Sequence, residues 1–103
     1  MPELNAITTY NRLALRASKQ GASEQALLHI SNAIRLSREC ARPLLEAHAR
    51  HMMGQVYAQA GRPDLAASCC RTALGLLSHS AHKPATQRMA RVLSTKLAAF
   101  EQA

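Results

Sequence analysis

Residues of like size recur along the chain at an offset of 40. The offset carries Leu13 to Met53 and Leu93, Ala14 to Gly54 and Ser94, Ala26 to Ala66, Ala33 to Ala73, Ile34 to Leu74 and Leu36 to Leu76. Gly21 likewise maps to Gly61, and Tyr57 to Leu97. Small stays small and large apolar stays large. A fixed period of this length is a signature of stacked helical units, each burying the face its neighbour leaves open.

Breakers divide the chain between these echoes at Pro2, Gly21-Ala22-Ser23, Pro43, Pro63 and Pro84. Proline suits the first turn of a helix, where its missing N–H would be unpaired in any case. Glu46 and Asp64 fall in such first turns, where the helix dipole favours negative charge. Ser23 is a candidate N-cap, and Gly21 and Gly61 are candidates for the left-handed residue that closes a helix. Five helices are predicted near 3–20, 23–40, 43–60, 63–80 and 84–101. The whole chain, 1–103, reads as one domain: a first hairpin over 3–40, a second over 43–80 and a capping helix over 84–101.

Two helix backbones come within about 8–10 Å only where the side chains at their crossing are small. Ala14, Gly54 and Ser94 would supply that on the first helix of each unit, with Ala26 and Ala66 opposite. Leu13, Ile30, Ile34, Met53, Tyr57, Leu74, Leu77, Leu93, Leu97 and Phe100 would fill the space around the crossings. The order small, aromatic, turn glycine, small, small in Gly54, Tyr57, Gly61, Ala66 and Ala73 resembles the tetratricopeptide repeat (TPR). Ordinary TPR units repeat about every 34 residues, so the period here is similar to a long-period variety of that family. Two positions depart from the pattern: the counterpart of Tyr10 is Arg50, and the proline usual after the second helix arrives late, as Pro43 and Pro84. The resemblance implies an all-α fold, a right-handed stack of two TPR-like hairpins plus a C-terminal capping helix.

Composition agrees with helices. Apolar residues make up 48% of the chain but aromatics only 3%, and valine occurs only at Val56 and Val92. Strands favour β-branched and aromatic residues, so a β-sandwich is disfavoured. Thirteen Lys and Arg against six Asp and Glu give a net charge of +7, which favours acidic partners. Cys40, Cys69 and Cys70 have neither CxxC spacing nor an even count, so neither a disulfide framework nor a zinc motif is indicated. No signal peptide is visible at the N-terminus, and no apolar run reaches the length of a membrane span. A cytoplasmic location is expected.

The resemblance implies that the first helices of the units line a concave groove for a partner protein. Carried over position by position, that groove takes Thr8, Asn11, Leu15, Ser18 and Lys19, then His48, His51, Gln55, Ala58 and Gln59, then Arg88, Arg91, Thr95, Ala98 and Ala99. Lys19, Arg88 and Arg91 would make charge-assisted hydrogen bonds to a carboxylate-bearing segment. The lysine–asparagine clamp by which chaperone-binding members hold a terminal carboxylate is not reproduced.

His48-x-x-His51 and His79-x-x-His82 each offer two ligands on one helix face. A zinc site needs three or four, so no metal or other cofactor is expected. No nucleophile elbow or Gly-rich phosphate loop is present, and Cys70 aligns with the core position of Ile30. The expected role is non-catalytic, an adaptor or small co-chaperone binding a peptide or helix of another protein. The alternative is a nucleic-acid-binding helical repeat using the basic surface, for which Tyr10, Tyr57 and Phe100 supply few stacking platforms. A chain of two and a half repeats leaves its ends open. Val92 and Phe100 near one end, and Leu4 and Ile7 near the other, point to a homodimer or to docking of a partner helix.

Overall fold

The computed structural model describes residues 2–103. They form five α-helices and no strand: α1 Pro2–Lys19, α2 Ser23–Glu39, α3 Pro43–Gln59, α4 Pro63–Leu77 and α5 Pro84–Glu101. Each helix packs on the next in the chain, and α3 also touches α1 and α5. The Cα envelope measures 36 × 29 × 17 Å. Its short dimension holds two helix layers, with α1, α3 and α5 in one and α2 and α4 in the other.

One turn is used three times. After α1 the N–H of Gly21 donates to the Ser18 carbonyl and that of Ala22 to the Ala17 carbonyl. After α2 the same pair of bonds runs from Ala41 to Arg38 and from Arg42 to Ser37. After α3 it runs from Gly61 to Ala58 and from Arg62 to Tyr57. This is the Schellman closure, which requires a left-handed residue at its centre. Gly21 and Gly61 have φ of 77° and 78°, as their types suggest, and Ala41 takes the same place at 53°.

Ser23 does not cap α2. The cap is Ala22, which makes no side-chain cap bond, and Ser23 is already the first helical residue. The Schellman closure ends at Ala22 and leaves no intervening residue for a capping side chain. The fourth connection differs from the other three. α4 stops at Leu77 rather than at 80, and Ser78–Ser80 form a 3-10 turn. Here the Ser78 hydroxyl donates to the Gly75 carbonyl at 2.9 Å, and no left-handed residue follows.

Small residues make the close contacts. Ala14, Ala26, Ala66 and Ala73 are fully buried. A Cβ added to Gly54 would sit 3.3 Å from the Ala66 carbonyl oxygen and 3.4 Å from Cys69 Cβ. The expected crossing of Gly54 with Ala66 is therefore present. One apolar cluster gathers Ile7, Ile30, Ile34 and Val56, and a second gathers Cys70, Ala73, Leu77 and Leu93. Ile7 is 1% exposed, contrary to the expectation that it lies bare at the start of the stack, because it belongs to the first cluster.

Arg50, the departure from Tyr10, is also accounted for. Its Nε donates to the buried Glu46 carboxylate at 2.9 Å, and Arg38 from α2 donates to the same oxygen at 3.2 Å. Arg38, Glu46 and Arg50 thus form a polar link between α2 and α3.

Candidate binding groove

The outer face of α3, flanked by α1 and α5, is a trough made of two adjoining clefts. One, of about 410 Å³, lies between the C-terminal halves of the three helices. It is lined by Leu15, Ser18 and Lys19 from α1, Met52, Gln55, Val56 and Gln59 from α3, and Lys96 and Phe100 from α5. The other, of about 480 Å³, lies between the N-terminal halves of α3 and α5. Leu44, Leu45, Met89 and Val92 give it an apolar floor, and His48, His51 and Arg88 stand around it.

Short turns set up this arrangement. Two reversals separate α1 from α3 and α3 from α5, so all three run the same way and their equivalent positions come side by side. The Ser18 hydroxyl donates to Gln59 Oε1 at 2.9 Å, joining α1 to α3 across the trough. Leu15 is 49% and Val92 44% exposed, so two of the three exposed large apolar side chains among the described residues lie here. The third, Leu28, is on α2 in the other layer.

Most of the groove positions expected from sequence line these clefts. Leu15, Lys19, Gln55 and Gln59 line the first, and His48, His51 and Arg88 the second. Asn11 is half-buried, and its Oδ1 is enclosed without a hydrogen-bond partner among the described residues. His51 Nε2, at the equivalent position of α3, is enclosed and unpartnered in the same way. Thr8 bonds back to the Leu4 carbonyl of its own helix.

Arg91 and Thr95 are placed elsewhere. They line a third cleft, between α4 and α5. On α3 the equivalent residues are walled in by α5, whereas no described helix packs on the corresponding side of α5, so on that helix they face outward. The α5 residues that reach the trough are Arg88, Val92, Lys96 and Phe100, spaced four apart. That i, i+4 stripe was the sequence signal for them. Val92 and Phe100 therefore face the trough and not the open end.

Burial lowers the pKa of His48 below its ordinary value. His51 is lowered too, first by burial and then by the neighbouring charges of His48 and Lys96. Charge is unevenly spread. Glu39, Glu46, Asp64 and Glu101 pair with Arg35, Arg38 and Arg50, Arg62, and Arg71. Arg12, Arg16 and Lys19 on α1, and Arg88, Arg91 and Lys96 on α5, have no ion-pair partner among the described residues. Surplus positive charge thus sits on the two helices that flank the trough.

Burial pushes the Cys69 and Cys70 thiols up in pKa, away from the reactive thiolate. Among the described residues no three His, Cys, Asp or Glu side chains are arranged to hold a metal ion. None of the described helices is long and apolar enough to cross a membrane. No protein-family model, curated protein or solved structure matches the chain.

Proposed function

We propose that the chain is a TPR-like stack of two hairpins and a capping helix, serving as a non-catalytic protein-binding module in the cytoplasm, an adaptor or small co-chaperone. Its ligand is an amphipathic segment of another protein with apolar residues along one side and carboxylates at the margins. The observation that carries this reading is the trough beside α3, with an apolar floor and unpaired cations on both flanking helices. Supporting the TPR-like reading are the sequential helix packing and the close Gly54–Ala66 crossing.

The test is site-specific photo-crosslinking in the source cell. A crosslinker at Val92 should capture a defined partner segment that one at Leu28 does not. Arg88→Glu with Lys96→Glu should abolish that capture, and equal capture at both positions would defeat the reading.

The unpaired cations also favour a second reading, nucleic-acid binding. Against it, Tyr10, Tyr57 and Phe100 are all half-buried and offer no open stacking platform. Nucleic-acid binding would weaken steeply and log-linearly with salt, whereas a segment held on an apolar floor keeps much of its affinity.

A further inference from the structure

We propose that the open cleft between α4 and α5 seats a second copy of this chain, with the two α5 helices packed antiparallel about a twofold axis near Ser94. This rests on reading α5 as the counterpart of α1 and α3, the first helices of the two TPR-like hairpins. The cleft, of about 570 Å³, is walled by Leu74 and Leu77 from α4 and by Gln87, Ala90, Arg91 and Ser94 from α5.

The chain itself shows what belongs there. Ala14 and Gly54 are buried, each at the crossing of its helix with the next. Ser94, 40 residues beyond Gly54, is exposed. Ala47 is likewise buried, while its equivalent Gln87 is exposed. The surface that a following helix covers on α1 and α3 is bare on α5.

A second α5 fits that surface in shape and charge. With Ser94 on the axis, Ala90 meets Ala98 of the second copy, so small side chains oppose one another as they do at Gly54 and Ala66. Gln87 comes opposite Glu101 of the second copy, and Arg91 lies about one helical turn from the same carboxylate. The helix begins basic and ends acidic, which favours antiparallel pairing, and a twofold contact repeats each favourable pair. Within one copy the ion-pair partner of Glu101 among the described residues is Arg71, at 3.9 Å on the surface, a contact loose enough for Glu101 to turn to the second copy.

The experiment is sedimentation equilibrium of the full chain over a wide concentration range. The mass should rise from 11.2 kDa toward twice that value. Ser94→Arg should hold it at the monomer mass with the melting point that the dilute, monomeric wild-type chain shows, since Ser94 is exposed within one copy. In a Cys40→Ser background, Ser94→Cys should form a disulfide with its own copy on mild oxidation, while Leu28→Cys should not. A wild-type chain that stays monomeric throughout overturns the proposal, as does a dimer indifferent to Ser94→Arg and not cross-linked through position 94. The trough plays no part in these readings. Loss of capture at Val92 with the dimer intact would therefore count against the proposed function alone.

Discussion

Ala41 is the residue whose conformation its own identity least suggests. It occupies the left-handed centre of the second turn, 20 residues after Gly21 and 20 before Gly61. An L-residue with a Cβ is strained there by about 1–2 kcal/mol. Ala41→Gly should therefore stabilise the protein by about 0.5–1 kcal/mol after allowing for the extra freedom glycine gives the unfolded chain. Thermal denaturation decides it, and an unchanged or lower melting point would mean that the strain is relieved locally. Gly21 and Gly61 were readable as helix closures because glycine is the usual residue there. Ala41 was not, because alanine carries no such mark and only its spacing gives it away. The small-residue crossing was readable, since Gly54 has no other evident reason to lie mid-helix, where it costs about 1 kcal/mol relative to alanine. Gly54→Leu should cost about 1–3 kcal/mol by overpacking, because the nearest obstacle is the Ala66 backbone carbonyl, which cannot turn aside. A variant that melts like the parent would contradict that packing.

Helix starts at proline were legible from local chemistry alone, whereas the orientation of α5 was not. Arg91 and Thr95 follow from shifting the α3 pattern forward by 40, but a shift in sequence does not carry over the neighbouring helix that makes a position face a groove. The stripe Arg88, Val92, Lys96 and Phe100 does face it, because α3 lies on that side. On α3 the histidines make stability depend on pH. His48 and His51 have pKa values lowered in the folded chain, chiefly by burial. In the unfolded chain they titrate near the ordinary value of about 6.5. As pH falls through 6.5 the unfolded state takes up protons first, so stability is complete above that value and declines below it. The melting temperature should drop between about pH 7 and pH 5, and His48→Gln with His51→Gln should flatten the drop. An equally steep decline in the double variant would assign the effect to other groups.

Over the whole molecule the charges divide into a balanced central part, α2 to α4, and two cationic flanks. The acids of α2, α3 and α4 are largely consumed by neighbouring arginines, which leaves Lys19 on α1 and Arg88 and Lys96 on α5 facing the trough without an ion-pair partner among the described residues. The same geometry gives binding a pH dependence opposite in sign to that of stability. Burial lowers the pKa of His48 and His51, and for His51 the nearby charges of His48 and Lys96 lower it further. A bound carboxylate would offset that repulsion and favour the imidazolium, so the complex should take up protons as it forms. Each unit by which binding raises a histidine pKa corresponds to about 1.4 kcal/mol of coupling. Affinity for the segment cross-linked at Val92 should therefore increase as pH falls from about 7.5 toward 6, although the free protein becomes less stable over the lower part of that range. Calorimetric titration in two buffers of different ionisation heat would measure the proton uptake directly. His48→Gln with His51→Gln should abolish the uptake without preventing binding to the apolar floor. Binding with no proton uptake in the wild-type chain would show that the partner's carboxylates meet only Lys19, Arg88 and Lys96, and that the histidines stand outside the contact.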